Sequence, residues 1–386
     1  MSHGAQNAHN VHVVERSGFS GGMPVLTLRA EHVTDAQRRD VESIFARIGG
    51  DPSGLSPCAD DPEALYIVAA RHRLEALARE LGGGANPALA DEIKRVLEGE
   101  ERSRNQAVRK LKCRDLELEL GRKTLIMGIL NITPDSFSDG GRYMSVEAAV
   151  RHARKMVEEG ADIIDVGGES TRPGAEKVPL DVELERVMPV LRALKKEKIG
   201  VPISIDTYKA EVARRALEAG AHIVNDQWRL VADPEMAGVA AEYGCPVILM
   251  HNRQGREYKN LLSGIVADLR ESIAIAHRAG IRDEQIILDP GIGFAKTYED
   301  NLSAMNVLAP LTWLGYPVLL GTSRKSMIRL TLDLPAHDVI EGTAATVAYG
   351  IAQGCAIVRV HDVKEMKRVA AMTDAMVRAK GGGWHG

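Results

Sequence analysis

From about residue 121 onward, short uninterrupted apolar runs recur along the chain: TLIMGIL, DIIDVGG, PISID, HIVND, PVILM, QIILD, PVLLG and AIVRV. Each run ends in polar or glycine-bearing residues. Between them stand stretches with helical spacing, among them 145–160, 209–220, 267–280 and 363–379. Continuous apolar runs suit strands buried on both faces, as in a parallel sheet with helical crossovers. Eight such strand–helix units in roughly 260 residues predict an α/β fold of the (β/α)8 TIM-barrel class. An open doubly wound sheet is the alternative. It loses support because no GxGxxG or GxxxxGK[ST] segment follows any of the runs.

The first third has a different texture. Residues 1–20 are polar and are expected to be a frayed, disordered terminus. A strand is expected at 23–30 and a Thr-capped helix at 34–50, where Val41, Ile44, Phe45 and Ile48 share a face. A loop then leads to a strand at 65–70, and glycines separate two helices, the second running to about residue 111. The spacing thus predicts a small α/β domain over 21–118 and the barrel over 119–386. No catalytic constellation occurs in the smaller part.

Composition narrows the function classes. Apolar residues make up 45% of the 386 and charged residues 26%, a globular balance. A net charge of -4 gives no general reason to expect nucleic acid or an anionic membrane as partner. No run of about 18 apolar residues occurs, so no membrane span is expected, and the polar N-terminus does not read as a signal peptide. Cys58, Cys113, Cys245 and Cys355 lack CxxC spacing and read as reduced thiols of a cytoplasmic protein.

In a parallel barrel every strand opens its C-terminal end onto one face, and function is built there. In chain order those ends carry Asn131 with Asp135, Phe137, Ser138 and Asp139; Glu169 to Pro173; Asp206; Asn225 and Asp226; His251 and Asn252; Asp289; Ser323 to Ser326; and Arg359 with His361. Taken singly, Asp206 or Asn225 reads as a helix cap or turn former, Asp289 as the anchor of a Pro-Gly turn, and His251 as a packing histidine. Met127 and Met250 read as core, and Arg324 with Lys325 as a solvated pair. Convergence of eight polar ends on one rim favours a small-molecule site instead. Asp206, Asn225 and Asp289 offer acceptors, which suit amino or ring N–H donors such as an aminopyrimidine edge. Lys325, Arg324, Arg359 and His361 offer cationic donors for an anion. Asn131 and Asp139 supply hard oxygens suited to Mg2+ beside a phosphate.

The motifs GILNITPDSFSDGG, DIIDVGGESTRPGA, ISIDTYKAEVA, ILDPGIGFAKT, GTSRKSMI and IVRVHDV, in this order over about 121–380, closely resemble the dihydropteroate synthase family. The resemblance implies condensation of 6-hydroxymethyl-7,8-dihydropterin pyrophosphate with 4-aminobenzoate, giving 7,8-dihydropteroate and pyrophosphate. It implies Mg2+ held at Asn131 and a homodimer. By motif position, Asp206, Asn225, Asp289 and Lys325 match the pterin set, with Phe294 beside them. Asn131, Arg359 and His361 match the pyrophosphate and magnesium set. Phe137, Asp139, Thr171, Arg172, Pro173 and Ser326 match the closing loops and aminobenzoate pocket. The catalytic group on this reading is Asp139, Asp289, Lys325, Arg359 and His361. Gln227 and Arg229 depart from the family's usual residues, and the N-terminal extension is absent from many members; a cap or an interface is its favoured reading. Two rivals stand beside this one. A methyltetrahydrofolate–corrinoid protein methyltransferase would share the acceptor floor but would have no use for SRKS and RVHDV. A non-catalytic pterin-binding protein would have no use for the first two loop motifs.

Overall fold

The computed structural model describes residues 11–20, 23–84, 86–104, 108–132, 145–169 and 177–379. The chain forms two compact units, one of residues 1–107, 257–267 and 309–315 and the other of 108–256, 268–308 and 316–386.

The first unit opens with β1 (Val11–Ser20) and β2 (Met23–Ala30), followed by α1 (Asp35–Arg47), β3 (Leu55–Cys58), β4 (Asp61–Ala70), α2 (Arg71–Gly82) and α3 (Pro87–Arg104). The strands make an antiparallel sheet in the order β1-β2-β4-β3. Alternate residues Val11, Val13, Leu26, Leu28, Leu65 and Ile67 are buried against Val41, Phe45, Leu74, Leu77, Leu81, Leu89 and Ile93 of the helices. Thr34 starts α1 through a capping box with Gln37, as its position in the sequence predicts. Two buried arginines are each matched by several acceptors: Arg29 by Glu31, Asp60 and Tyr66, and Arg71 by Glu75, Glu100 and Glu101. Unpaired, either guanidinium would be costly to bury.

Three readings of the first third change. Residues 11–20 form a strand rather than a frayed end, because Val11 and Val13 alternate into the core and the backbone pairs with β2. The segment 51–64, read as loop, contains β3 and the start of β4. The last helix stops at Arg104, and 109–111 belong to a strand.

That strand, β5 (Arg109–Cys113), pairs with β6 (Leu116–Leu120) as an antiparallel hairpin at the start of the second unit. The boundary therefore falls between 107 and 108 rather than at 118, since the hairpin packs with the barrel. Leu111, Cys113 and Leu120 cluster with inward residues of seven barrel strands, Leu125, Met127, Ile163, Ile223, Ile248, Ile287, Leu319 and Ile357. Arg114 at its tip donates to the carbonyls of Leu217 and Ala221 at 2.6 and 2.8 Å. The hairpin thus stoppers the N-terminal end of the barrel, the end whose packing serves stability rather than chemistry.

The barrel follows as β7 (Leu125–Asn131), α4 (Val146–Glu158), β8 (Ile163–Gly167), α5 (Leu180–Lys196), β9 (Ile203–Asp206), α6 (Ala210–Glu218), β10 (Ile223–Asp226), α7 (Met236–Tyr243) and β11 (Val247–Met250). The chain continues with α8 (Leu261–Ala279), β12 (Ile286–Asp289), α9 (Tyr298–Asn306), α10 (Leu308–Thr312), β13 (Leu319–Leu320), α11 (Ser326–Leu332), α12 (Ile340–Ala352), β14 (Ile357–Val360) and α13 (Val363–Val377), with 261–267 of α8 and 309–312 of α10 counted in the first unit. The eight strands are parallel in the order β12-β11-β10-β9-β8-β7-β14-β13. A parallel bridge Leu288↔Val318 and the bond from Leu288 N–H to Pro317 O, 2.9 Å, join the two ends. The (β/α)8 barrel read from the apolar runs is present, with each run forming one strand.

Candidate active site

Register decides which polar side chains meet. Asn131, Gly167, Asp206 and Asn225 are successive cross-strand partners on β7, β8, β9 and β10. Strand pleating gives these residues the same inward face, one layer above the apolar plug. Asp206, Asn225, Gln227, Met250, Asp289, Ile292, Phe294, Gly321, Lys325 and Arg359 line one open pocket at the C-terminal ends of the strands. Five residues expected in the site from separate strand ends, Asp206, Asn225, Asp289, Lys325 and Arg359, are thus brought together, with Phe294 beside them.

The floor is a charge network. Arg359 donates from Nε to Asp165 Oδ2 at 2.6 Å and from an Nη2 to Asp206 Oδ2 at 2.7 Å. Asn225 donates to the same Asp165 oxygen at 3.1 Å, and Gln227 donates to Asp206 Oδ1. Burial raises the Asp206 carboxyl above its ordinary range, with Arg359 opposing. Arg359 itself, although half-buried, is held firmly protonated by Asp165 and Asp206.

The second half of the floor is a tight loop. Gly291 N–H donates to Asp289 Oδ1 at 2.7 Å. Gly291 has φ +66°, and a Cβ there would stand 1.9 Å from the His251 carbonyl oxygen, so no other residue fits. Lys325 donates to Ile292 O at 2.8 Å and lies 4.1 Å from the centre of the Phe294 ring. A Cβ on Gly293 would lie 2.9 Å from Lys325 Cδ, so this glycine lets the lysine stem through. Burial raises Asp289, opposed by the Gly291 N–H and by Lys325, Arg359 and Lys296. Burial lowers Lys325 to about 8, against the attraction of Asp289.

That lysine gives a pH prediction. The folded value lies below the ordinary 10.5, so the unfolded chain holds more protons between about 8 and 10.5, and this group's contribution to stability rises with pH there. Ligand affinity runs the other way: an anionic ligand seated near Lys325 is expected to bind progressively more weakly above about pH 8 as the ammonium is lost. Calorimetric titrations on either side of that value check it.

Other expected residues sit apart from the cavity lining. Asn131 ends β7, with Oδ1 facing Gly167. His361 Nδ1 lies 3.0 Å from Ser323 Oγ, and Ser326 is an exposed first residue of α11. Arg324, offered as an anion donor, pairs with Asp362 at 3.1 and 2.5 Å. Asp226 receives the Trp228 and Leu230 N–H groups at 2.8 and 2.7 Å, so it is a turn former. Arg229 bonds Asn252 O, Asp268 O and Glu271 and is a structural tie. Phe137, Asp139, Thr171, Arg172 and Pro173, with Asp135, Ser138 and Ser170, lie outside the described residues.

Sequence reasoning missed Asp165, although a charge amid DIIDVGG at an inward position was a readable signal. It took Met250 for core, and Met250 lines the cavity; a flexible thioether at the end of a run serves either purpose. Met127 does lie in the core. Gln227, noted only as a departure, lines the cavity and bonds Asp206.

Comparison with known proteins follows the same residues. A family model described as pterin binding enzyme matches residues 127–361. A dihydropteroate synthase of Bacillus subtilis (strain 168) is 60% identical over 264 residues, 68% of this chain and 92% of that protein. A solved dihydropteroate synthase from Clostridium difficile, crystallised in the presence of pteroic acid, is 50% identical with TM-score 0.66 over 67% of this chain and 98% of its own. One from Xanthomonas albilineans, with 4-aminobenzoic acid, is 40% identical with TM-score 0.67 over 71% of this chain and 100% of its own.

Proposed function

The chain belongs to the dihydropteroate synthase family, a family of transferases, and from that premise we propose how its own residues divide the work. The reaction joins 6-hydroxymethyl-7,8-dihydropterin pyrophosphate to 4-aminobenzoate and releases pyrophosphate. The C–O bond at the pterin methylene breaks, the diphosphate leaves with the electron pair, and the arylamine nitrogen forms the new C–N bond and gives up a proton.

Asp206, Asn225 and Asp289 receive the amino and ring N–H groups of the pterin. Asp289 also stabilises the positive charge that builds on the ring as the C–O bond stretches, as fixed groups aimed at developing charge do. Lys325 and Arg359 hold the region's positive charge. Arg359 retains N–H groups beyond the two spent on Asp165 and Asp206. Phe294 supplies an apolar wall. His361 and Ser326 stand toward the diphosphate and aminobenzoate side. No protein nucleophile is required, and the four cysteines are buried and do not line the cavity. The observation that carries this reading is that two carboxylates, an amide and two partly buried cations from five separate strand ends line one cavity.

Mg2+ belongs to the proposal through Asn131. Among the described residues no group of three or more His, Cys, Asp or Glu side chains is placed to hold a metal. A lone amide oxygen at a strand end is nevertheless compatible with Mg2+, which keeps several waters and takes most of its other ligands from substrate phosphates. When bound, it would neutralise charge on the diphosphate. Sequence places Asp139 as a second hard oxygen donor.

A homodimer is proposed on the α11–α13 side, where Leu330 (64% exposed), Tyr349, Met372 (61%) and Met376 (60%) leave large apolar groups in solvent. Met372→Glu with Met376→Glu is expected to give monomers by sedimentation equilibrium; an unchanged dimer would move the interface elsewhere. Four buried free thiols suit a reducing cytoplasm, and no described helix is long and apolar enough to cross a membrane.

The test is coupled pyrophosphate release from the purified chain. Release requiring the pterin pyrophosphate, 4-aminobenzoate and Mg2+ together, with sulfonamides competing against 4-aminobenzoate, is expected. Pterin binding without release would favour the non-catalytic reading.

A further inference from the structure

Lys296 follows the β12 loop and is buried, 5% exposed. Its Nζ lies within hydrogen-bond distance of three acceptors: His251 Nδ1 at 2.9 Å, Gly291 O at 3.1 Å and Phe294 O at 3.1 Å. The protons can be assigned from the partners. His251 Nε2 lies 3.1 Å from Asp268 Oδ2. Asp268 stays ionised despite its burial because His251, Arg229 and Arg253 hold it below the ordinary carboxylate range. An ionised carboxylate only accepts, so the imidazole proton is on Nε2 and Nδ1 is an acceptor. Burial keeps the ring neutral, with its pKa down at about 4. All three contacts of Lys296 therefore require donation. An ammonium has three protons and no lone pair; a neutral amine would leave one buried acceptor without a proton.

The two carbonyls it holds bracket the loop that makes half of the cavity floor. Gly291, at one end, gives its N–H to Asp289. Ile292 gives its carbonyl to Lys325, and Phe294, at the other end, sets its ring beside the same ammonium. Burial lowers Lys296 to about 7, opposed first by Asp289 and also by Asp300 and Asp268, with Lys325 repelling it; the three acceptors around Nζ favour the ammonium.

We propose that Lys296, oriented from behind by His251 and Asp268, is a positioning residue for the reaction: it holds residues 291–294 in the shape that sets Asp289, Phe294 and Lys325 against the pterin. The proposal rests on the cavity being the pterin site. Lys296 does not line the cavity, and its effect passes through Lys325 and Asp289. Simple loss of packing would not be confined to those partners.

A double-mutant cycle separates these cases. Lys296→Met is expected to lower calorimetric affinity for the pterin pyrophosphate at least tenfold and to raise its KM. Once Lys325 is already Met, the same change is expected to cost little more. Full additivity of the two losses, or unchanged affinity in Lys296→Met, would overturn the proposal. If the wild-type chain binds no pterin, the reading of the cavity fails instead, and that outcome is distinct. A second measurement needs no variant: nitrogen NMR of the wild-type chain at neutral pH should show His251 as the neutral Nε2–H tautomer. An Nδ1–H tautomer or an imidazolium would contradict the assignment and overturn the proposal.

Discussion

Replacing Arg359 by Met is expected to cost about 3–5 kcal/mol of folding stability and to lower kcat/KM for the pterin substrate by more than about a hundredfold. The magnitude follows from what the guanidinium leaves behind. Asp165 is fully buried and Asp206 nearly so, and both give an oxygen to Arg359 within 2.7 Å. Asn225 and Gln227 also bond these carboxylates, but neither brings a positive charge. Removing one partner of a buried ion network costs more than the network contributes, since the remaining charges stay desolvated. The loss should depend on pH in a defined sense. Burial already raises Asp206 in the folded chain, and without Arg359 it rises further. The folded state then binds more protons than the unfolded one over a wider window above the ordinary value of 3.8, so stability falls as pH increases through that window. Urea unfolding should therefore find the variant weakened more at about pH 8 than at about pH 5.5. Adding Asp165→Asn should recover much of the stability and little of the activity. Equal stability of Arg359→Met and wild type at both pH values would refute the network.

Asp289→Asn is expected to leave the fold nearly intact and to weaken pterin binding by roughly 1.5–3 kcal/mol, the range of a lost charge-assisted hydrogen bond. The amide oxygen of Asn can still accept from Gly291 N–H, so the loop keeps its anchor. What disappears is the negative charge that faces Lys325 and opposes the lowering of its pKa by burial. Lys325 then loses its proton at lower pH, and the decline in affinity should begin below the about 8 expected of the wild-type chain. Isothermal titration at several pH values reads both effects. Unchanged affinity would remove Asp289 from the pterin floor.

The barrel was legible because its strands are buried on both faces, which forces continuous apolar runs, and because their polar ends fall at fixed places in the strand–helix repeat. Asp206, Asn225, Asp289, Lys325 and Arg359 stood out for that reason. Less legible were features whose pattern is two-sided or distributed. The hairpin at 109–120 alternates Lys or Glu with Leu, and a preceding charged helix masked the change of period. Residues 11–20 look polar, yet Val11 and Val13 suffice to seat a strand once β2 offers its edge. Asp165 was readable as a lone charge at an inward position, but the surrounding apolar run drew the reading to the strand end instead. His251 stood at a strand end, but its pairing with Lys296 had no local sign, because the partnership joins residues 45 positions apart on different barrel units.

The most direct measurement is a crystal structure of the full chain soaked with pteroic acid. The pterin ring is expected in the cavity, its N–H edge against Asp206, Asn225 and Asp289, with Lys325 and Phe294 alongside. A ring bound elsewhere, with those carboxylates still facing only Arg359, Gln227 and Gly291, would contradict the account.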